Sequence, residues 1–202
     1  MNENYKFVDP EFLYTDPETG TLKNLAGIND PEALLFYESV VVAKRLQELY
    51  DNPIQIKGVQ SLFEIHRHLF QDVYVWAGEE RKVEIAKEGN PFFPTKHFDH
   101  AFKYIDSLIS DFKKLSENDL ENIARKLAEI LDAVNHLHPF REGNGRAQRE
   151  FIRLLALEKG IKLNLNPPDD QNVYERYMQG TIHGDINGLA DLILELIKNG
   201  NA

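Results

Sequence analysis

The feature that most constrains this chain is a break between two helical periodicities. Apolar residues recur at Ile123, Leu127, Ile130, Leu131 and Val134, stop at His138-Pro139, and resume with Phe151, Leu154 and Leu155. The fold must therefore join two amphipathic helices through the stretch His138-Pro139-Phe140-Arg141-Glu142-Gly143-Asn144-Gly145-Arg146-Ala147-Gln148-Arg149. Such a junction concentrates a base, a carboxylate, a glycine-rich loop and two arginines in one place.

Each residue type there has a physical use. Gly143-Asn144-Gly145 lets main-chain N–H groups turn towards one point, and the helix that opens behind it offers unpaired donors and the positive end of its dipole. That is an anion pocket. Arg146 and Arg149 are three residues apart, so both are expected to project from one helix face near its first turn, where two guanidiniums suit two phosphates. Glu142 beside this positive cluster is the kind of lone carboxylate that holds Mg²⁺ while leaving it several waters. His138 can act as a base near neutral pH and would contribute roughly 10²- to 10⁴-fold if it removes a proton from an attacking hydroxyl. Together these describe phosphoryl or nucleotidyl transfer.

Taken singly, His138 reads as a polar helix terminator, Glu142 as a solvated loop acid, and Arg146 or Arg149 as part of a solvated helix face. Taken as a set at these spacings, they favour a ligand site. The string HPFREGNGRAQR resembles, position by position, the HxFx(D/E)GNGRxxR signature of the Fic (filamentation induced by cyclic AMP) family of protein adenylyltransferases. The resemblance implies that His138 deprotonates a target hydroxyl, that Glu142 holds Mg²⁺ on the phosphates of ATP, and that Gly143, Asn144 and Gly145 form the anion hole. It further implies that Arg146 and Arg149 contact the outer phosphates and that Phe140 is a buried anchor for the loop.

The remaining chain reads as one globular unit. With 202 residues, 42% apolar and 28% charged, it is long enough for a real core. A net charge of −10 argues against a nucleic-acid partner, whose backbone asks for a basic face. Cysteine is absent, so neither a disulfide frame nor a thiolate metal site is open to it. The N-terminus lacks a basic and apolar leader, and no apolar run approaches about 18 residues, so no membrane span is expected. The expected setting is cytoplasmic, or a host cell if the chain is cut from a longer delivered effector.

Residues 1–30 are rich in turn signals and read as an irregular arm, leaving 31–200 for the Fic domain. Asp30 caps a helix with Pro31 in its first turn, ending at Asp51-Asn52-Pro53; exposed, it would suit a homodimer. A second helix from about Val59 carries Leu62, Phe63, Ile65, Leu69 and Phe70 as its buried stripe. His66 and His68, two apart on it, do not share a face and are assigned surface or partly buried polar roles. Thr95 is expected to cap the next helix, and Ser116 with Asp119 the one that delivers His138. His97 and His100 lack a third ligand and read as solvated, and His136 as a neighbour of the site. Tyr174, Tyr177 and Met178 are at helical spacing, which suits core more than an adenine pocket.

Arg81-Lys82-Val83-Glu84-Ile85-Ala86 alternates polar and apolar before Gly89-Asn90-Pro91, a hairpin pattern. Following Tyr74-Val75-Trp76-Ala77-Gly78, it resembles the Fic flap, and the resemblance implies that Lys82, Val83, Glu84, Ile85 and Ala86 dock a target protein by strand addition. The fold class is thus all-α: a Fic-type helical bundle with a small β-hairpin flap over the active site. The [ST]xxxE[GN] inhibitory motif of many Fic proteins has no match here, so a separate antitoxin-like protein is expected to supply the glutamate that restrains Arg149. The expected activity is transfer of AMP from Mg·ATP to a Ser, Thr or Tyr hydroxyl. UMP transfer and an idle nucleotide- or protein-binding module are the alternatives, whereas a histidine-cluster hydrolase fails on ligand spacing.

Overall fold

A computed structural model describes residues 5–7, 9, 11–87 and 89–200. Among these, helices α1 (Pro31–Asp51), α2 (Gln60–Phe70), α3 (Phe98–Lys114), α4 (Leu120–Leu137), α5 (Asn144–Leu157), α6 (Gln171–His183) and α7 (Ile186–Gly200) build the body. Helix α4 is its axis, packing against α3, α5, α6 and α7. Its apolar positions explain that place: Ile123, Leu127, Ile130, Leu131, Val134 and Leu137 are all buried on more than one side of the helix. Phe151, Ile152, Leu154 and Leu155 of α5 and Leu189, Leu192, Ile193 and Ile197 of α7 complete the same core. Each such side chain contributes roughly 1.5–3 kcal/mol of burial.

The helix starts follow local chemistry, with two corrections. Asp30 caps α1, its carboxylate accepting from Ala33 N at 2.8 Å with Pro31 in the first turn. Helix α4 is capped by Asp119 itself, which accepts from Asn122 N at 3.4 Å, while Ser116 lies one turn outside and offers its carbonyl to Asp119 N. Thr95 does not cap α3. A 3-10 turn, Thr95–His97, runs straight into that helix, and Thr95 donates through N (3.0 Å) and Oγ1 (2.7 Å) to Glu84 Oε1 of the flap.

The flap is a small antiparallel sheet. Strands β2 (Ile85–Lys87) and β3 (Asn90–Pro91) form the expected hairpin, with Gly89 at φ 84° turning between them. A strand from the N-terminal arm, β1 (Tyr5–Phe7), pairs with the other edge of β2 in the register Tyr5↔Lys87, Lys6↔Ala86, Phe7↔Ile85. The arm is irregular only in part: besides β1 it holds a Thr15↔Leu22 bridge, a knot of bonds from Leu13 N and Tyr14 N to Asp9, and the buried Tyr14, whose hydroxyl accepts from Lys82 N at 3.0 Å. No described helix is long and apolar enough to cross a membrane.

Candidate active site

Helix α4 ends at His138, a C-cap in the left-handed region (φ 46°, ψ 60°) whose N–H still bonds Val134 O at 3.1 Å. That conformation is costly for a residue that carries a Cβ, and it turns the chain sharply into the loop. The imidazole lies mostly buried, with the Phe92 ring stacked on it at 3.7 Å. A carbonyl only accepts, so the 3.3 Å contact between His138 Nδ1 and Asn135 O assigns the ring proton of the neutral form to Nδ1. The lone pair is then on Nε2, the form a general base needs.

The loop is held from below. Phe140 is fully buried between the Phe63 ring (5.0 Å, edge-on) and the His66 ring (3.7 Å, stacked), the anchor its signature position implies. Asn144 clasps the same residue, its Oδ1 accepting from Phe140 N (2.9 Å) and its Nδ2 donating to Phe140 O (2.8 Å). The Asn144 side chain is therefore structural, and what it can offer an anion is its main-chain N–H. Gly143 sits at φ 81°, where a Cβ would meet Phe70 Cζ at 2.4 Å, so no other residue fits. It is also the N-cap of α5, and no side chain caps that helix. The first-turn N–H groups, with the dipole behind them, remain for a ligand. A Cβ at Gly145 would only touch the Arg149 guanidinium, with Nη1 3.4 Å away.

His66 is the functional residue that sequence reasoning misplaced. It is completely buried. Gly78 N donates to its Nδ1 at 2.9 Å, so Nε2 carries the proton and donates to Glu142 O, also at 2.9 Å. Burial, reinforced by the nearby charge of Arg146 and opposed by the bond to Glu142, pushes its pKa down to about 3. A neutral imidazole thus joins the entry to the flap with the carbonyl of the acidic loop residue. The available signal was its spacing: His66 lies three and four residues from Leu62, Phe63, Leu69 and Phe70, on the apolar stripe.

The charged residues separate more than their spacing suggested. Arg146 lies over the Phe70 ring at 4.7 Å, its Nη1 2.5 Å from Glu38 Oε1 and its Nη2 3.6 Å from Glu142 Oε1. Arg149 instead lies over the Tyr174 and Tyr177 rings at 5.6 and 5.5 Å. Tyr177 is fully buried and its hydroxyl accepts from Gln148 Nε2 at 2.5 Å, so the two tyrosines support an arginine. Glu142 is partly exposed and accepts from Gly143 N at 2.9 Å. Among the described residues no group of three His, Cys, Asp or Glu side chains could hold a metal. A single carboxylate beside a phosphate pocket fits Mg²⁺, which keeps waters and takes its other ligands from a nucleotide.

Of the flap residues assigned to docking, Lys82 and Glu84 are exposed, Val83 and Ile85 are buried, and Ala86 is half-buried. Their root is Arg81, whose guanidinium is wholly buried. It donates from Nε to His138 O (2.9 Å), from Nη1 to Val83 O (2.8 Å) and Glu84 (3.1 Å), and from Nη2 to Phe93 O (2.6 Å). Its own N–H bonds Pro139 O at 2.7 Å. One side chain thus ties the flap to the loop between α4 and α5. His97 and His100 are exposed, with rings 6.0 Å apart, and His136, also exposed, meets the flap through Phe93 N.

Comparison with known proteins agrees with this architecture. The chain is 34% identical over 186 residues to protein adenylyltransferase VbhT of Bartonella schoenbuchensis, covering 92% of this chain and 38% of that protein, so it spans well under half of that relative. It is 32% identical over 162 residues to a protein of Salmonella typhimurium named probable protein adenylyltransferase Fic, covering 79% of each. The N-terminal Fic domain of a VirB-translocated Bep effector of Bartonella quintana, solved with bound ADP, superposes with a TM-score of 0.77 at 25% identity, over 91% of this chain and 93% of that one. The Fic/DOC family profile matches residues 56–156, from the irregular lead into α2 almost to the end of α5, and the chain belongs to that family.

Proposed function

We infer that the chain is a protein adenylyltransferase, moving AMP from ATP to a hydroxyl of a target protein. The observation that carries this reading is a single short loop with His138 Nε2 as its basic atom at one end and the uncapped N-terminus of α5 at the other. Relatives named as adenylyltransferases, at 34% and 32% identity, support the same reaction. The substrate hydroxyl gives its proton to Nε2 of His138, and its oxygen bonds to the α-phosphorus of ATP. The bond from that phosphorus to the bridging oxygen breaks and pyrophosphate leaves. Main-chain N–H groups of Asn144 and Gly145, with Arg146 and Arg149, take up the phosphate charge. Glu142 would hold Mg²⁺, which supplies further charge neutralisation on the phosphates when bound.

The flap residues Lys82, Val83, Glu84, Ile85 and Ala86 dock the target main chain. Because β1 and β3 flank β2 on both edges, entry is at Lys82–Glu84 or follows release of β1. Among the described residues Arg149 forms no ion pair, which leaves room for a glutamate supplied by a small inhibitor protein. The deciding experiment is incubation in cell lysate with ATP labelled at the α- or the γ-phosphorus, comparing His138→Ala. Label from the α position alone, lost in the variant, is expected. Label from the γ position would mean a kinase orientation and overturn the reading.

A further inference from the structure

We propose that Glu38 of α1 is a positioning residue that fixes the guanidinium of Arg146 for the phosphates of the nucleotide. The inference rests on the reading of Arg146 as a phosphate ligand. Glu38 is 3% exposed and shares its helix face with Leu34, Val42 and Leu49, so a carboxylate stands in an apolar stripe. A buried charge persists there only if its partners replace water. Two do: Arg146 Nη1 at 2.5 Å from Oε1, and the hydroxyl of the buried Tyr74, which donates to Oε2. The Tyr74 ring is itself fixed by stacking on Trp76 at 4.2 Å. Burial and the adjacent Glu38 charge raise the phenol pKa, so Tyr74 stays a donor.

Arg146 is thereby held on two sides, with Phe70 against one face of the guanidinium and Glu38 on one edge. The Phe70 ring is the one that lies beneath Gly143, so the same aromatic sets both the loop and the arginine. The other edge, at Nη2, faces Glu142. A guanidinium has five donors, and an arrangement that spends one edge on a fixed carboxylate points the rest in a defined direction. Arg149 has no carboxylate partner among the described residues; it rests on the Tyr174 and Tyr177 rings and donates to the buried Tyr177 hydroxyl.

Charge alone predicts the opposite of positioning. Neutralising Glu38 makes the pocket more positive and should tighten nucleotide binding, whereas loss of a fixed geometry should weaken it. The sign decides. In calorimetric titrations of the full chain with ATP, Glu38→Gln is expected to weaken binding about tenfold, the scale of one charge-assisted contact misplaced. Arg146→Ala should weaken it at least as much, and the double variant no further than Arg146→Ala, because Glu38 acts only through that arginine. Tyr74→Phe, which keeps the charge and loosens the carboxylate, should weaken binding about two- to threefold, and serves if Glu38→Gln does not fold. Unchanged or tighter binding in Glu38→Gln, or a further loss in the double variant, overturns the proposal while leaving the phosphate reading intact. Unchanged binding in Arg146→Ala removes that reading, and the proposal with it.

Discussion

Two regions meet at His138, and they are built to different standards. The loop between α4 and α5 is fixed by buried groups from distant parts of the chain: Phe140 between Phe63 and His66, the two-way clasp of Asn144, and His66 on Glu142 O. The flap has a two-residue pairing between β2 and β3, a few contacts to the body, and one buried guanidinium at its root. Catalytic geometry profits from groups that need no reorganisation, while a surface that admits a partner's main chain has to yield. The stiff side should therefore fail by unfolding when altered, and the yielding side by misplacing the partner.

Gly143→Ala is the severest test of the stiff side. The new methyl meets Phe70 and takes a left-handed backbone, which together should cost about 3 kcal/mol of stability, measured by denaturant titration. A cost under about 1 kcal/mol would mean that the loop relaxes, and the contrast between the regions would break. Arg81→Lys comes next. Lysine cannot reach His138 O, Val83 O and Phe93 O together, so about 2 kcal/mol should be lost along with placement of the flap. The exposed Glu84 adds little to that figure. The companion kinetic signature is a raised KM for target protein with KM for ATP nearly unchanged; equal changes in both would show that Arg81 supports the loop and the flap as one unit.

The same contrast explains what the sequence let one read. The α4 periodicity, its halt at His138-Pro139 and the Gly143-Asn144-Gly145 turn are local, so the helix ends and the loop between them were visible in adjacent residues. Glu38, Tyr74 and Arg81 reach the α4–α5 loop from other elements, and only their three-dimensional partners reveal them. His66 and His68 do diverge, as their spacing requires, and it is the place of His66 on the apolar stripe that marks it as the buried one. For Arg146 and Arg149, shared helical side did not mean shared surroundings: an acidic residue of α1 draws one, and two tyrosines of α6 carry the other. Thr95 and Ser116 were plausible caps by type, yet a flap carboxylate engages the first and Asp119 stands nearer the helix than the second.

Acid probes the stiff side more gently. His66 is neutral when folded with a pKa near 3, against 6.5 for an ordinary histidine, so between those values the unfolded chain binds the extra proton. Stability from this site is complete above pH 6.5 and falls as pH drops towards 3, with a slope on the order of 1 kcal/mol per pH unit. Nitrogen-detected NMR should find His66 as the Nε2–H tautomer throughout the folded range. Titration near pH 6 without unfolding would show that the pin between Gly78 and Glu142 opens freely.

The smallest effect is expected on the yielding side, where β1 covers β2. Three residue pairs hold that strand, and so short an edge is marginal by itself. If an incoming target uses the same edge, apparent affinity is reduced by the fraction of time β1 is docked. Removing residues through Phe7 should then raise labelling of targets at limiting concentration by about threefold, the factor for an edge open one third of the time. ATP binding should not change, since His138 and the α5 N-terminus lie outside the sheet. Reduced labelling would instead make β1 part of the docking surface, with its own outer edge receiving the target. Either result separates a flap that is shielded by its own chain from one that is completed by it, and the loop beneath is indifferent to which.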